Sequence, residues 1–233
     1  KWRIANTIPL RTALVRGKAQ PYSRLDLTHE DAAFLQYTGG TTGLSKGAML
    51  LHGNVVANIL QMRVWMTGDM APGNECIITA LPLYHIFALA LNCLMFMSIG
   101  AKNVLITNPR DMPGFVAELR KHRFTAFAGV NTLFNGLLHT PGFSDLDFRP
   151  LKLVVGGGSA IQKAVAQHWR EVTGKPLTEG YGLTETSPAV CFTPLTHPEW
   201  NGSIGVPLPS TLVSLRDDDN REVPQGQPGE LCV

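Results

Sequence analysis

Short apolar runs rich in β-branched residues alternate with helix-like patterns along most of this 233-residue sequence. Apolar residues that recur every three or four positions predict helices, and short continuous apolar runs predict buried strands. Repeated strand–helix units indicate an α/β fold with a largely parallel sheet and helices on both faces. We predict strands at 33–37, 76–81, 103–107, 125–130 and 151–155, and helices at 54–66, 87–99, 115–123, 132–139 and 161–172.

The pattern changes after about residue 200, where prolines flank short alternating segments such as 211–216. An Asp/Asn-rich turn follows, and this combination is typical of β-hairpins. We therefore predict an α/β core over residues 31–200 and the truncated start of a small β-rich unit over 201–233. Because the sequence begins at Lys1 without Met and ends within an apolar run, we expect a piece of a longer protein, with 1–30 as the entry segment from an upstream part.

The composition narrows the class of function. The formal net charge is +2 and no run of Lys or Arg forms a basic patch, which argues against a nucleic-acid partner. The four cysteines stand far apart, and no histidine has the spacing of a zinc finger. Reduced thiols in a cytoplasmic protein are the simplest interpretation.

One long uncharged stretch resembles a membrane span. Residues 76–101 contain no Asp, Glu, Lys or Arg, and 86–101 are nearly all apolar. A bilayer core requires about 20 apolar residues, and Pro82, His85 and Asn92 interrupt the longer stretch. We therefore predict a helix buried in a large core.

The segment 37–47, YTGGTTGLSKG, contains the strongest chemical signal. Glycines let the main chain approach an anion, hydroxyl groups add donors, and a lysine adds positive charge. The segment differs from a P-loop, because Ser45 precedes the lysine and Gly47 follows it. A flexible surface linker is the alternative. The predicted phosphate-binding residues are Thr38, Gly39, Gly40, Thr41, Thr42, Gly43, Ser45 and Lys46.

A second signal is the segment 179–185, EGYGLTE. Between Gly180 and Gly182, the ring of Tyr181 can stack on a base, and just beyond them the hydroxyl of Thr184 can donate to a phosphate oxygen. The carboxylate of Glu185 can hold Mg²⁺ on that phosphate. Taken alone, this segment would be read as a glycine-rich turn with a surface glutamate.

Two further candidates are weaker. Gly157 and Gly158 follow a predicted strand and can admit a ligand close to the main chain, although a tight strand-to-helix turn explains them equally well. They do not complete a dinucleotide-binding motif, because Ile161 stands where its last glycine belongs. His85 precedes the apolar helix, and a lone histidine in such a place is more often a core residue than a catalyst.

The segments 37–47 and 179–185, in this order and at this distance, resemble the two signatures of the adenylate-forming superfamily. This superfamily comprises acyl-CoA synthetases, beetle luciferases and peptide-synthetase adenylation domains. The resemblance implies that Tyr181 packs on adenine, that Thr184 meets the α-phosphate, and that Glu185 binds Mg²⁺. It also implies that the Gly157–Gly158 loop lines the adenine and acyl pocket, and that His85 lies beside the reacting carboxylate.

Four more segments resemble bacterial long-chain-fatty-acid–CoA ligases: TALPLYHIF at 79–87, LITNPRDM at 105–112, GVNTLF at 129–134 and GSIGVPLP at 202–209. The resemblance implies a ligase that uses ATP, Mg²⁺ and CoA to convert a fatty acid to acyl-adenylate and then acyl-CoA. Lys46, His85, Thr184 and Glu185 would form its catalytic set. Because the implied substrate partitions into lipid, peripheral contact with the inner membrane is also implied.

Several expectations and alternatives follow from the resemblance. Its ribose-binding Asp and adenylation Lys would lie beyond residue 233, so we expect this piece alone to bind nucleotide weakly without turnover. Another adenylate-forming ligase, for aryl, short-chain or amino acids, remains open. So do a non-catalytic nucleotide-binding module and a membrane protein built around residues 76–101.

Overall fold

The computed structural model describes residues 5–38, 45–66, 68 and 70–233. The helices are α1 (Leu10–Lys18), α2 (His52–Met66), α3 (Ala88–Met95, continued by one turn at Phe96–Ser98), α4 (Met112–Leu119), α5 (Asn131–Leu138) and α6 (Lys163–Thr173). The strands are β1 (Ala32–Thr38), β2 (Lys46–Leu51), β3 (Cys76–Thr79), β4 (Lys102–Leu105), β5 (Ala126–Gly129), β6 (Leu153–Gly156), β7 (Thr178–Gly182), β8 (Ala189–Phe192), β9 (Val206–Pro207), β10 (Ser214–Arg216) and β11 (Glu230–Cys232).

The main sheet formed by the described residues has seven strands in the order β4-β3-β5-β6-β7-β8-β9. Its first five strands are parallel, whereas β7, β8 and β9 pair antiparallel. The predicted α/β class with a largely parallel sheet is therefore confirmed. The carboxyl ends of the parallel strands meet at one edge, where the loops after β3, β6 and β7 come together.

Buried side chains pack on both faces of this sheet. One cluster joins Phe127 of β5 to Phe115, Phe134 and Trp169 of helices α4, α5 and α6. The other joins neighbouring strand residues to α2 and α3, with Met62, Leu91, Met95 and Phe96 buried there. Adjacent residues of one strand point to opposite faces, so strands covered on both sides are apolar throughout. This is why short apolar runs predicted these strands correctly.

The ends of several elements differ from the prediction. The helix predicted at 115–123 begins at Met112 because Asp111 caps it, accepting a bond from the N–H of Gly114 at 3.1 Å. The helix predicted at 161–172 begins at Lys163 because Gln162, at φ −71° and ψ 138°, is extended and not helical. The other predicted strands and helices lie within a few residues of their observed ranges.

The largest error concerns the hairpin β1–β2. The sequence analysis predicted no strand between 37 and 54, but Lys46–Leu51 forms a strand that pairs antiparallel with β1. The hairpin is a separate two-stranded sheet, so β1 is not part of the parallel sheet. Leu50 is buried while Met49 is exposed, an alternation that was too short to recognise beside the following helix. Helix α1 and strands β7 to β9 were also missed.

The uncharged stretch 76–101 forms strand β3 and helix α3, as predicted. Within α3, the residues from Ala88 to Met95 adopt π-helical rather than α-helical turns. Ala88, Ala90 and Leu91 are buried in the core. Among the described residues, no helix is long and apolar enough to cross a bilayer.

Candidate active site

A cleft of about 550 Å³ lies at the carboxyl ends of β6 and β7. In open α/β sheets, this edge is where ligands bind. The hairpin β1–β2, the start of α3, the loop after β6 and the segment from β7 onward all contribute to the cleft. It gathers these residues predicted from the sequence: Thr38, Lys46, His85, Gly157, Gly158, Gly180, Tyr181, Gly182, Thr184 and Glu185.

The hairpin β1–β2 contributes the hydroxyl group of Thr38 and the positive charge of Lys46 to the cleft. Thr38 and Lys46 lie opposite each other in the β1–β2 register, and Thr38 Oγ1 donates to the Lys46 carbonyl at 3.4 Å. Both residues line the cleft, and Lys46 is exposed. Ser45 is exposed beside Lys46 but does not line the cleft. The other predicted loop residues, Gly39, Gly40, Thr41, Thr42 and Gly43, lie outside the described residues.

The second signature forms strand β7 and a single 3₁₀ turn at Thr184–Thr186. Gly182 has no room for a side chain, because a Cβ atom there would lie 2.1 Å from the Pro188 carbonyl oxygen. The N–H of Leu183 donates to that same oxygen at 3.1 Å and to Thr186 Oγ1 at 3.0 Å. This tight reversal presents Thr184, which is half-buried, and Glu185, which is exposed, to the cleft.

The glycine loop after β6 allows three parts of the cleft to meet. A Cβ atom on Gly157 would lie 3.1 Å from the Gly180 carbonyl oxygen and 3.2 Å from the ring of Phe87. Gly158 has a φ of +74°, a conformation that side chains other than glycine's rarely adopt. The loop is therefore a tight turn whose main chain lines the cleft, and the admission of a ligand there stays a prediction.

Glu179 is a structural member of the site that the sequence analysis did not single out. Its Oε1 accepts the N–H of Ile161 at 2.9 Å and so ties the glycine loop to β7. Burial raises the pKa of the Glu179 carboxyl, and the Ile161 N–H offsets part of this rise. Glu179 is the first residue of the EGYG segment, which could have drawn attention to it. Its hydrogen-bond partner, Ile161, lies in a different segment, so its role was not apparent from the sequence.

His85 lies at the mouth of the cleft and not in the core. It is exposed, and its Nδ1 accepts the N–H of Phe87 at 3.3 Å. Ile86 and Phe87 line the cleft beside it. The alternative that His85 is a satisfied core residue is therefore wrong.

Part of the cleft lining is apolar. Met62 and Met66 of α2, Leu91 of α3 and Phe192 of β8 line the cleft, and all four are buried. The sequence periodicity predicted that Met62 and Met66 share the buried face of a helix, but it carried no information about the cavity against which this face lies.

Helix α3 is fixed to the sheet by buried amides. Asn92, which is fully buried, donates to the Ile78 carbonyl at 3.2 Å and to Thr79 Oγ1 at 3.1 Å. Asn103 of β4 donates to the main-chain oxygen of Asn92 at 2.5 Å. The apolar wall that carries Phe87 and Leu91 is therefore held to the carboxyl end of β3 and to Asn103 of β4.

Residues 5–233 match the family described as AMP-binding enzyme. The chain belongs to this family. The long-chain-fatty-acid–CoA ligase of Escherichia coli O6:H1 (strain CFT073) is 54% identical over 233 residues, which are 100% of this chain and 42% of the relative. The corresponding ligase of Haemophilus influenzae is 49% identical over 237 residues, with the same coverage. This chain of the AMP-binding enzyme family thus spans about two fifths of the length of these curated relatives.

Solved structures show the same fold. ATP-bound MatB from Rhodopseudomonas palustris is 25% identical, with a TM-score of 0.82 over 94% of this chain and 43% of that one. The inhibitor-bound N-terminal domain of FACL13 from Mycobacterium tuberculosis has a TM-score of 0.80 at 20% identity, over 91% of this chain and 53% of that one. The second likeness shows the fold alone.

The charge pattern of this AMP-binding enzyme suits a metal that arrives with its nucleotide. Among the described residues that line the cleft, Lys46 carries the one formal positive charge and Glu185 the one carboxylate. No group of three or more His, Cys, Asp or Glu side chains forms a metal site in the described ranges. Mg²⁺ typically takes one or two protein carboxylates and completes its shell with phosphate oxygens and water. A single exposed carboxylate therefore fits Mg²⁺ carried by a polyphosphate.

Proposed function

We propose that this chain is the nucleotide- and acid-binding part of an ATP-dependent ligase that converts a long-chain fatty acid to acyl-adenylate and then acyl-CoA. The observation that carries the proposal is the polarity of the cleft. Its lining combines the polar groups of Lys46, Thr184 and Glu185 with buried apolar side chains. A substrate pair of polyphosphate and alkyl chain matches this arrangement, and 54% identity to a long-chain ligase supports the same class.

The first step joins the two substrates. A carboxylate oxygen of the acid attacks the α-phosphorus of ATP, the bond to the β-phosphate oxygen breaks, and pyrophosphate leaves. Two anions must approach each other, so catalysis depends on positioning and charge neutralisation more than on covalent help from the protein. Lys46 and the hydroxyl of Thr184 meet these needs directly, and bound Mg²⁺ supplies further positive charge on the phosphates from its place at Glu185.

The other predicted residues position the two substrates. Tyr181 packs on the adenine, Gly180 and Gly182 allow the close approach of the nucleotide, and Gly157 and Gly158 admit the ligand against main chain. His85 orients the acid carboxylate beside Ile86 and Phe87. The same proposal assigns phosphate binding to Thr38, Gly39, Gly40, Thr41, Thr42, Gly43 and Ser45.

The second step transfers the acyl group to CoA. The thiolate sulfur of CoA attacks the acyl carbonyl carbon, and AMP leaves with the electron pair of the broken anhydride bond. We assign residues 31–200 to the nucleotide-binding core and 201–233 to the start of a β-rich subdomain, and we expect this piece alone not to turn over. We place the ligase in the cytoplasm, with peripheral contact at the inner membrane where its acid substrate partitions.

Product trapping in the full-length protein tests the proposal. With ATP, Mg²⁺ and palmitate but no CoA, mass spectrometry should detect palmitoyl-adenylate, and addition of CoA should convert it to palmitoyl-CoA. Lys46→Ala should slow the formation of both products about 100-fold. If the protein binds ATP but forms no adenylate with any acid, it is a nucleotide-binding module and the proposal fails.

A further inference from the structure

A buried asparagine of α2 binds the main chain that follows the Thr184–Thr186 turn. Asn58 is only 4% exposed. Its Nδ2 donates to the Ala189 carbonyl at 2.7 Å, and its Oδ1 accepts the N–H of Ala189 at 3.0 Å. The side chain therefore binds both main-chain groups of one residue, as a neighbouring strand does. Two bonds to the main chain of one residue fix its orientation as well as its position.

Ala189 is where the turn returns to the sheet. It lies opposite Gly182 in the β7–β8 register, and the chain between these two residues carries Thr184 and Glu185. The bonds from the N–H of Leu183 make this reversal a compact unit. The unit is therefore held on one side by β7 and on the other by the amide of Asn58.

Helix α2, which carries Asn58, follows directly on the strand that carries Lys46. Strand β2 begins at Lys46 and ends at Leu51, and α2 starts at His52 with no residue between them. Strand β2 also contacts the Thr184–Thr186 turn. The placement of α2 therefore decides how Lys46 stands relative to Thr184 and Glu185.

We propose that Asn58 is a positioning residue that holds Thr184 and Glu185 at the place where they act on the same polyphosphate as Lys46. Asn58 does not line the cleft, so it acts through Ala189. The inference rests on the proposed function of the cleft. Asn58 supports the proposed phosphate-binding residues. The apolar lining that α2 contributes consists of Met62 and Met66, which are packed in the core.

The test compares substrate dependences in the full-length protein. Asn58→Ala should raise the KM for MgATP about tenfold, as loss of a group that orients a metal-binding carboxylate commonly does. The KM for the fatty acid should change less than about twofold. Asn58→Ser is too short to make both bonds but leaves a polar group in place, so it gives the same test if the alanine variant does not fold.

Thr125→Val is the matched control. Thr125 Oγ1 accepts the N–H of Cys76 at 2.9 Å and donates to its carbonyl at 3.3 Å, so it makes the same double contact to one residue. It lies at the amino ends of the strands, away from the cleft. This variant should lower the melting temperature and leave both KM values unchanged.

A coupling experiment separates positioning from general loosening. In a Glu185→Gln background, Asn58→Ala should raise the KM for MgATP by a smaller factor than in the wild type, because one of the two groups that it positions is already gone. By calorimetry, Asn58→Ala should weaken ATP binding more in the presence of Mg²⁺ than in its absence, because only the contribution of Glu185 requires the metal.

Three results would overturn the inference: an unchanged KM for MgATP in both Asn58 variants, an equal rise in both KM values, or full additivity with Glu185→Gln. A wild-type protein that releases no pyrophosphate with any acid would instead refute the proposed function. In that case the calorimetric comparison of ATP binding still decides the role of Asn58.

Discussion

The ring of Phe87 packs directly against the main chain of Gly157, since a Cβ atom on Gly157 would lie 3.2 Å from the Cε1 and Cζ atoms of that ring. This contact joins the apolar wall of the cleft to its glycine loop. The acid and the nucleotide must therefore meet beside it. The fit is tight, so a methyl group at position 157 would require its neighbours to shift by a few tenths of an ångström.

Gly157→Ala should lower the rate of pyrophosphate release at least tenfold, because the new methyl group must displace either Phe87 or the Gly180 carbonyl, which lies 3.1 Å away. The double variant Gly157→Ala with Phe87→Leu should recover part of the loss, since it relieves the contact with the ring. Steady-state kinetics of the full-length protein measure both effects. A single variant with wild-type kinetics would contradict this packing argument.

Lys46→Ala should reduce kcat for adenylate formation about 100-fold, the usual cost of removing one group that stabilises developing charge. Lys46→Arg keeps the charge but presents it in a different geometry, and it should recover only part of the rate. Single-turnover measurements of pyrophosphate release compare the two variants. Equal activity of Lys46→Ala and the wild type would exclude this residue from catalysis.

The fold class was predictable because it depends on local patterns. Every residue of β3, from Cys76 to Thr79, is buried, as the continuous apolar run indicated. Helix α6 has one buried face centred on Trp169, and Gly174 ends it in a left-handed conformation. Such signals depend on the residue and its neighbours in sequence, so one sequence suffices to recognise them.

The geometry of the site was less predictable because it depends on pairing between distant segments. The motifs identified Lys46 and Glu185, but not that β2 would bring the lysine to the cleft as a strand. Nothing in the sequence around Asn58 indicates that Ala189 is its partner. Strand order and register decide these contacts, and neither can be derived from the periodicity of one segment.

The ion pair between Glu75 and Lys152 makes stability depend on pH. Lys152 Nζ lies 2.7 Å from Oε1 of Glu75, whose side chain is fully buried. Burial raises the pKa of Glu75, but hydrogen bonds from Lys152, Thr125 and Ala71 outweigh it, so the pKa lies below its ordinary value of 4.5. The ionised group therefore stabilises the fold above about pH 4.5, and this contribution is lost as the pH falls further.

Glu75→Gln should lower the free energy of unfolding by about 2 kcal/mol at neutral pH, less than for a fully buried pair because Lys152 is partly exposed. The difference from the wild type should shrink as the pH falls below 4.5. Urea unfolding of the full-length protein at several pH values measures this trend. A difference that is independent of pH would show that the charge of Glu75 contributes nothing.

Trp169 should tolerate replacement by another aromatic residue better than truncation. Its ring stacks on Phe127 at 5.8 Å and meets Phe134 edge-on at 4.9 Å, and its Nε1 is buried without a hydrogen-bond partner in the described structure. Trp169→Ala should cost about 4 kcal/mol through the cavity that it leaves. Trp169→Phe should cost less than about 2 kcal/mol, because it also removes the unpaired N–H. Equal losses for the two variants in urea unfolding would contradict this account.

The most direct test of the central claim is pyrophosphate release by the full-length protein with ATP and Mg²⁺ across fatty acids of increasing length. The combined polar and apolar lining of the cleft predicts release that depends on the acid and is greatest with long alkyl chains. Release only with short, aryl or amino acids would contradict the assigned substrate. If no acid tested supported pyrophosphate release, the ligase function itself would be contradicted.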